Sequence, residues 1–358
     1  MLRITKILLC AASLLLLLCR ADIVTDGSLG PRTSLVGPNY EIVSDLGRRA
    51  GSNLFHSFGV FNVNTGEIAT FTGDGAIDNI LGRVTGGGSS NVDGQLASTI
   101  PGANLFLLNP AGILFGPNAS LDIQGSFHAS TADFIRLADG VRFNALPSAQ
   151  DALLTTAPPE TFGFLGDHPA PIEVNGSFLT VPDSKTLSLV GGDITMKNGT
   201  VFAPGGQINL ISTASRGEVT PTLSGPKLEA NVTSTALGKI TLSRDAKSDT
   251  GIGDVDVGDN GDAGGGAVVI RGGQFVMEGA SVRAQTFGDT KGVGVDIRVS
   301  SLDMHSADQG MPASIDTTTF GGPDGDGGDV YVEADTMRLS GAFPTGILAQ
   351  ADGEGGEG

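Results

Sequence analysis

Two kinds of residue grouping in this chain have the makings of chemistry. Asp133, Arg136, Asp139 and Arg142 put carboxylates beside guanidiniums in close succession, as general acid–base cleavage of a polysaccharide would need. Asp254-Val255-Asp256, Asp259-Asn260-Gly261-Asp262 and Asp324-Gly325-Asp326-Gly327-Gly328-Asp329 offer the hard oxygens that calcium takes. Neither grouping carries a specific signature. The nonapeptide Gly-Gly-x-Gly-x-Asp period of calcium-binding rolls is missing, so solvated turns account better for the Asp runs. Surface pairing accounts as well for the Asp/Arg cluster, and basic residues are otherwise scattered, with Arg48-Arg49 adjacent. No His-Glu-x-x-His, Gly-x-Ser-x-Gly or Gly-x4-Gly-Lys-Ser/Thr motif occurs. Gly251-Ile252-Gly253 is a turn fragment without a following helix. His56, His128, His168 and His305 stand at no ligand spacing; His56 reads as a packing or turn residue and His168 as solvated among prolines. The expectation is a non-enzyme with no metal, no cofactor and no catalytic residue.

The elements that carry these residues are short strands. Of 358 residues 55 are Gly, and only 39% are apolar and 17% charged. That glycine share is about twice the usual one. It excludes helical bundles, and the lack of a three-residue glycine period excludes collagen. Alternating runs such as Leu121-Asp122-Ile123-Gln124, Ile172-Glu173-Val174, Leu187-Ser188-Leu189-Val190, Asp193-Ile194-Thr195-Met196 and Gln207-Ile208-Asn209-Leu210 end at Gly, Asn or Pro-Gly turns. No capped 3.6-residue apolar period appears, so helices should be few. Asn144 to Pro171 departs from the pattern with five prolines, which cannot donate to a strand ladder, and reads as an excursion from the main body. Residues 217–266 read as an irregular linker, Gly/Asp-rich in its latter part. From 267 to 358 the chain repeats: units opening at Gly265-Gly266-Ala267, Gly294-Val295-Asp296 and Gly328-Asp329-Val330 recur at about 27 to 34 residues, a solenoid period. The closing Gly353 to Gly358 resembles the turn before another unit, so the rod is expected to be interrupted there.

The first twenty-one residues read as a signal peptide. Arg3 and Lys6 precede an apolar core from Ile7 to Leu18 that is too short to span a membrane, and Cys19-Arg20-Ala21 suits cleavage after Ala21. Lipidation at Cys19 is disfavoured by the bulky Leu18 before it. Both cysteines, Cys10 and Cys19, fall in this segment, so the mature chain depends on no disulfide. The formal charge is −18, and loss of Arg3, Lys6 and Arg20 makes it more acidic. Such a chain repels nucleic acid, which excludes DNA or RNA as partner.

His56-Ser57-Phe58, Phe61-Asn62-Val63, Val84-Thr85-Gly86-Gly87, Ser90-Asn91-Val92-Asp93-Gly94 and Ala103-Asn104-Leu105-Phe106-Leu107 follow one another in a distinctive order. Then come Asn109-Pro110-Ala111-Gly112-Ile113, Phe115-Gly116, Ala119-Ser120-Leu121-Asp122-Ile123, Gly125-Ser126-Phe127 and Thr131-Ala132-Asp133. The series resembles the N-terminal domain of the filamentous haemagglutinin family, the secreted partners of two-partner secretion systems in Gram-negative bacteria. Its strongest part covers His56 to Leu137, and weaker similarity runs from Ile23 to Ile194. The family's secretion motif has Asn where this chain has Ala111, and its second motif, Asn-Pro-Asn-Leu, has no counterpart between Phe71 and Asn79. Asn109, Pro110, Ala111, Gly112 and Ile113 also make sense without the family. Asn109 bonds its own backbone at a turn's first position, Pro110 presets φ, and Gly112 suits the last position of a type I turn.

The resemblance implies an all-β fold: a right-handed parallel β-helix (β-solenoid) with an extra-helical excursion. With the resemblance marking 22–216 as secretion domain, the expected organisation is 1–21 signal peptide, 22–216 secretion domain, 217–266 linker and 267–358 further coils. The implied partner is an outer-membrane transporter barrel with periplasmic docking domains. Export would pass through the periplasm to the cell surface or medium, folding would follow coil by coil, and the rod would serve adhesion or haemagglutination at a host-cell glycan or protein receptor. The rival readings are a β-helical carbohydrate-active enzyme built on Asp133 and Arg136, and the delivery stalk of a longer contact-dependent toxin.

Overall fold

The computed structural model describes residues 22–245, 254–258, 264–287, 289–307, 311–320 and 327–352. The expected signal peptide lies outside the described residues, and so do Asp259, Asp262, Asp324 and Asp326 of the Asp-rich runs. Helix is confined, among the described residues, to short 3-10 turns at Ser44–Leu46 and Ala149–Leu153.

The chain winds as a parallel β-helix with three faces. On the first face an interior column runs Leu54, Ile80, Leu105, Phe127, Leu187, Ile208, Val268, Val295 and Val330, each beside the last in register. A second face stacks Val92, Phe115, Val174, Met196, Leu242, Met277 and Met304. The third face is carried by two sheets, one stacking Tyr40, Ala69, Leu96 and Leu121, the other Leu179, Val201, Val255, Val282 and Ile315. Alternation along each strand sends these residues into one continuous core. Burying each side chain contributes about 1.5–3 kcal/mol, so stability accumulates from coil-to-coil contacts. In the later coils a single strand such as Ala267–Glu278 serves both the first and second faces. It bends at Gly272-Gly273, where a Cβ on Gly273 would stand 2.5 Å from the Leu237 carbonyl oxygen.

The first face is covered on its outer side as well. The chain leaves the coil between Ser130 and Ile172, and again between Ser212 and Lys239, at the same corner both times. Strands Phe134–Leu137, Arg142–Asn144, Pro159–Phe164, Gly217–Pro221 and Ala230–Val232 from the two departures form one antiparallel sheet. Its Ile135, Phe143, Phe162 and Val219 pack on the outward Phe55, Leu81, Phe106, Leu108, Val190 and Ile211, making a second core.

The first excursion thus begins earlier than the proline run that signals it. Phe134–Leu137 and Arg142–Asn144 contain no proline and alternate like coil strands, so only the later part stands out in sequence. Within 217–266, read as an irregular linker, lie Gly217–Pro221 and Ala230–Val232 of the cover, and Lys239–Ser243 and Asp254–Asp256, which are coil strands.

Candidate functional site

Asn109 to Ile113 form the corner between strands Asn104–Leu108 of the first face and Ile113–Phe115 of the second. Asn109 is fully buried. Its side-chain NH2 donates to the Gly88 carbonyl and to Ser90 Oγ, both at 3.0 Å, and its Oδ1 accepts from the Ala111 N–H at 2.9 Å. The Gly112 N–H closes the turn on the Asn109 carbonyl at 3.1 Å. Gly112 sits at φ +112°, where a side chain would be strained. Backbone bonds then tie the corner to the coils on either side. Ser90 N–H donates to the Gly112 carbonyl at 3.0 Å, Asn109 N–H to that of Ser130 at 2.9 Å, and Ile113 N–H to that of Pro171 at 3.2 Å. Ile113 is buried in the main core, while Pro110 and Ala111 are half-buried.

Every hydrogen bond that shapes this turn comes from Asn109 or from backbone, so Ala111 keeps the corner without a polar side chain. The corner also adjoins the neck of the first excursion. Thr131 Oγ1 donates to the Ala170 carbonyl at 2.7 Å and accepts from the Gly192 N–H at 3.2 Å, pinning departure to return. The five motif residues therefore meet at one place, and that place is where the chain leaves and re-enters the coil.

A second constellation was not signalled by any motif. Arg83 is fully buried on the outward side of the first face, and all five of its N–H groups are matched. Nε donates to Ser57 Oγ at 2.8 Å; one terminal nitrogen donates to the Asn144 carbonyl at 2.8 Å and Asp151 Oδ1 at 2.9 Å; the other donates to Ser28 Oγ at 3.0 Å and Asp151 Oδ2 at 2.7 Å. Phe143 lies under the guanidinium at 5.0 Å. Arg48 reaches the same short helix, donating to the Asp151 and Ala152 carbonyls at 2.7 and 3.1 Å. Asp26 extends the network, accepting from Ser57, Thr85 and Ser28; burial opposes its ionisation, but these hydrogen bonds outweigh it and hold its carboxyl below the usual range. A sequence signal did exist: Arg83 interrupts the apolar run Ile80-Leu81-Gly82-Arg83-Val84.

The residues considered for acid–base chemistry are occupied otherwise. Arg136 and Arg142 face each other across antiparallel strands and share Glu218, at 3.3 and 3.6 Å, while Arg136 also pairs with Glu160 at 3.0 Å. Asp133 accepts the Leu165 N–H at 2.6 Å, and Asp139 accepts from Thr155 and the Val141 N–H. No carboxylate of that cluster is paired with an arginine of it. Asp254 and Asp256 both face Arg283, at 2.8 and 3.7 Å, and burial raises both carboxyls above the ordinary value. No group of three or more metal-ligating side chains occurs among the described residues.

His56 is buried between Phe58 and Phe71 with neither ring nitrogen hydrogen-bonded, and desolvation lowers its pKa to about 4. His128 stacks on Phe106 at 4.4 Å with Nδ1 3.0 Å from Ser188 Oγ, and burial lowers it to about 3. Both are packing residues on coil strands. His168 adopts a left-handed conformation in the first excursion, and His305 stands 3.6 Å from Asp303.

A family model described as the TPS secretion domain matches residues 21–291. No curated protein matches the chain. Among solved structures, the HMW1 secretion domain from Haemophilus influenzae is similar at 18% identity and a TM-score of 0.49, with 94% of this chain and 92% of that one covered.

Proposed function

This chain belongs to the TPS secretion domain family and is a two-partner secretion exoprotein, and from that premise we propose how it is exported and what it does outside. An outer-membrane barrel with periplasmic docking domains takes the unfolded chain, which emerges N-terminus first. Outside, the coils assemble on one another, and the downstream rod acts in adhesion. Residues 22–216 serve as the secretion domain, and Asn109 to Ile113 act in export by shaping the corner described above.

The observation that supports this reading is the uninterrupted register. From Leu54 to Val330 each coil offers an open strand edge on which the next is laid, so folding proceeds in the direction of emergence and opposes backsliding. Lack of cysteine beyond Cys19 agrees, because no disulfide loop obstructs threading. The test is export in cells with and without the cognate barrel. The chain is expected in the medium only when the barrel is present and to be degraded in the periplasm otherwise. Secretion that persists without a barrel overturns the proposal.

A further inference from the structure

A cavity of about 440 Å³ lies where the second excursion ends over the first face. Thr220, Thr222, Glu229 and Asn231 of the excursion hairpin form its walls, and Arg271 and Arg298 of two successive coils form its floor. Arg271 is only 6% exposed. One terminal nitrogen donates to Asp296 Oδ1 at 2.7 Å and to the Asp296 and Ile270 carbonyls at 2.9 and 3.0 Å. The other terminal nitrogen and Nε make no hydrogen bond to any described residue. Arg298 is half-exposed, forks onto Asp296 Oδ1 and Oδ2 at 3.1 and 3.0 Å, and rests over the Tyr331 ring at 5.0 Å.

Asp296 thus serves both guanidiniums, and Glu333, beside Arg298 in register, favours the charge on each, but no hydrogen bond to either carboxylate reaches the remaining edge of Arg271. Burial disfavours the charge on Arg271 by more than Asp296 restores, so its pKa lies below the ordinary arginine value. A hydrogen-bond acceptor, best an anionic one, at that edge would satisfy the two nitrogens left without a partner. The walls refine the choice. Glu229 would repel a bare inorganic anion, but its carboxylate accepts hydrogen bonds from hydroxyls; Thr220 and Asn231 can donate or accept, and Thr222 Oγ1, which donates to the Glu229 carbonyl, can still accept. A ligand with a carboxylate at one end and hydroxyls at the other satisfies both halves. The volume suits one or two sugar rings.

We propose that this cavity binds an acidic sugar of the uronate type, its carboxylate on Arg271 and Arg298 and its hydroxyls on the hairpin wall. The site stands apart from the Asn109 corner and does not depend on the route of export. The test is titration calorimetry of the purified chain with galacturonic acid, galactose and acetate. Galacturonic acid is expected to saturate at millimolar concentration, at least about tenfold tighter than either of the others. Arg298→Gln, at a half-exposed position, should keep the thermal melt and weaken galacturonic acid about tenfold, while Arg142→Gln should leave binding unchanged. Equal binding of acetate and galacturonic acid, no saturation by galacturonic acid, or undiminished binding by a folded Arg298→Gln chain would each overturn the assignment.

Discussion

Replacing Asp151 by Ala should destabilise this protein more than any single change at its surface. The substitution removes both carboxylate oxygens from Arg83, whose side chain has no exposed surface while that of Asp151 keeps about a tenth of its own. Two of the five guanidinium bonds vanish and the charge stays buried without a counterion. Breaking a buried pair in this way costs about 3–5 kcal/mol. Arg83→Met should cost less, because the freed Asp151 reaches water and still accepts the Ser148 N–H at 3.3 Å. The double variant Arg83→Met/Asp151→Ala should fall short of the sum of the singles by about 2–3 kcal/mol, since neither partner is stranded. The assay is urea unfolding followed by far-ultraviolet circular dichroism at pH 7, the chain having no Trp to report by fluorescence. Additive losses, or an Asp151→Ala cost below about 1 kcal/mol, would refute the claim that this pair fastens the cover to the coil.

At the corner, Asn109→Ala should cost about 1–3 kcal/mol by removing the bond to the Ala111 N–H and leaving the buried Ser90 Oγ without its donor, and should lower the amount of chain in the medium. Ala111→Asn should change stability by less than about 0.5 kcal/mol and leave export as it was; a marked rise in export at unchanged stability would mean that the transporter reads that side chain directly. Acid should loosen the fold through its two buried histidines. His56 and His128 have folded pKa values of about 4 and about 3 against 6.5 unfolded, so stability is complete above pH 6.5 and declines as pH falls toward those values. Each contributes a slope of about 1.4 kcal/mol per pH unit, which Asp254 and Asp256 oppose because their carboxyls are raised. His56→Leu should flatten the fall in melting temperature between pH 6.5 and 4.5, and an unaltered fall would show that His56 is not responsible.

Much of the coil was legible because its strands are short and end at glycine or asparagine turns. Ile194 to Met196 and Gln207 to Leu210 lie on second- and first-face strands, as expected, with Asp193 just before the first of them. The Asn109 turn was legible down to its self-bonding side chain. The cover was less so, because its strands use the same residues at the same spacing as the coil. Arg83 was hidden for another reason: its partners come from positions 28, 57, 144 and 151, and no local pattern announces a contact across such distances.

The extent of the cover is nevertheless written in the first-face strands themselves. A strand buried on both sides needs apolar or matched polar residues at every position, whereas one with a wet face alternates. Leu105-Phe106-Leu107-Leu108 and Ala267-Val268-Val269-Ile270 are unbroken and buried throughout. Val295-Asp296-Ile297-Arg298 and Val330-Tyr331-Val332-Glu333 alternate, and the outward Tyr331 and Glu333 are exposed. The change falls where the hairpin Gly217 to Val232 ends and Arg271 takes over as the outward residue. Two regimes of assembly follow from this. Coils past that point complete both surfaces as they are laid down, so they add singly. Earlier coils carry Phe55, Leu81 and Phe106 on a side that stays wet until residues 134–164 arrive, and Arg83 lacks its counterion until residue 151 does. The first half therefore stabilises as a block, closed by an ion pair whose acidic member lies late in that block in chain order.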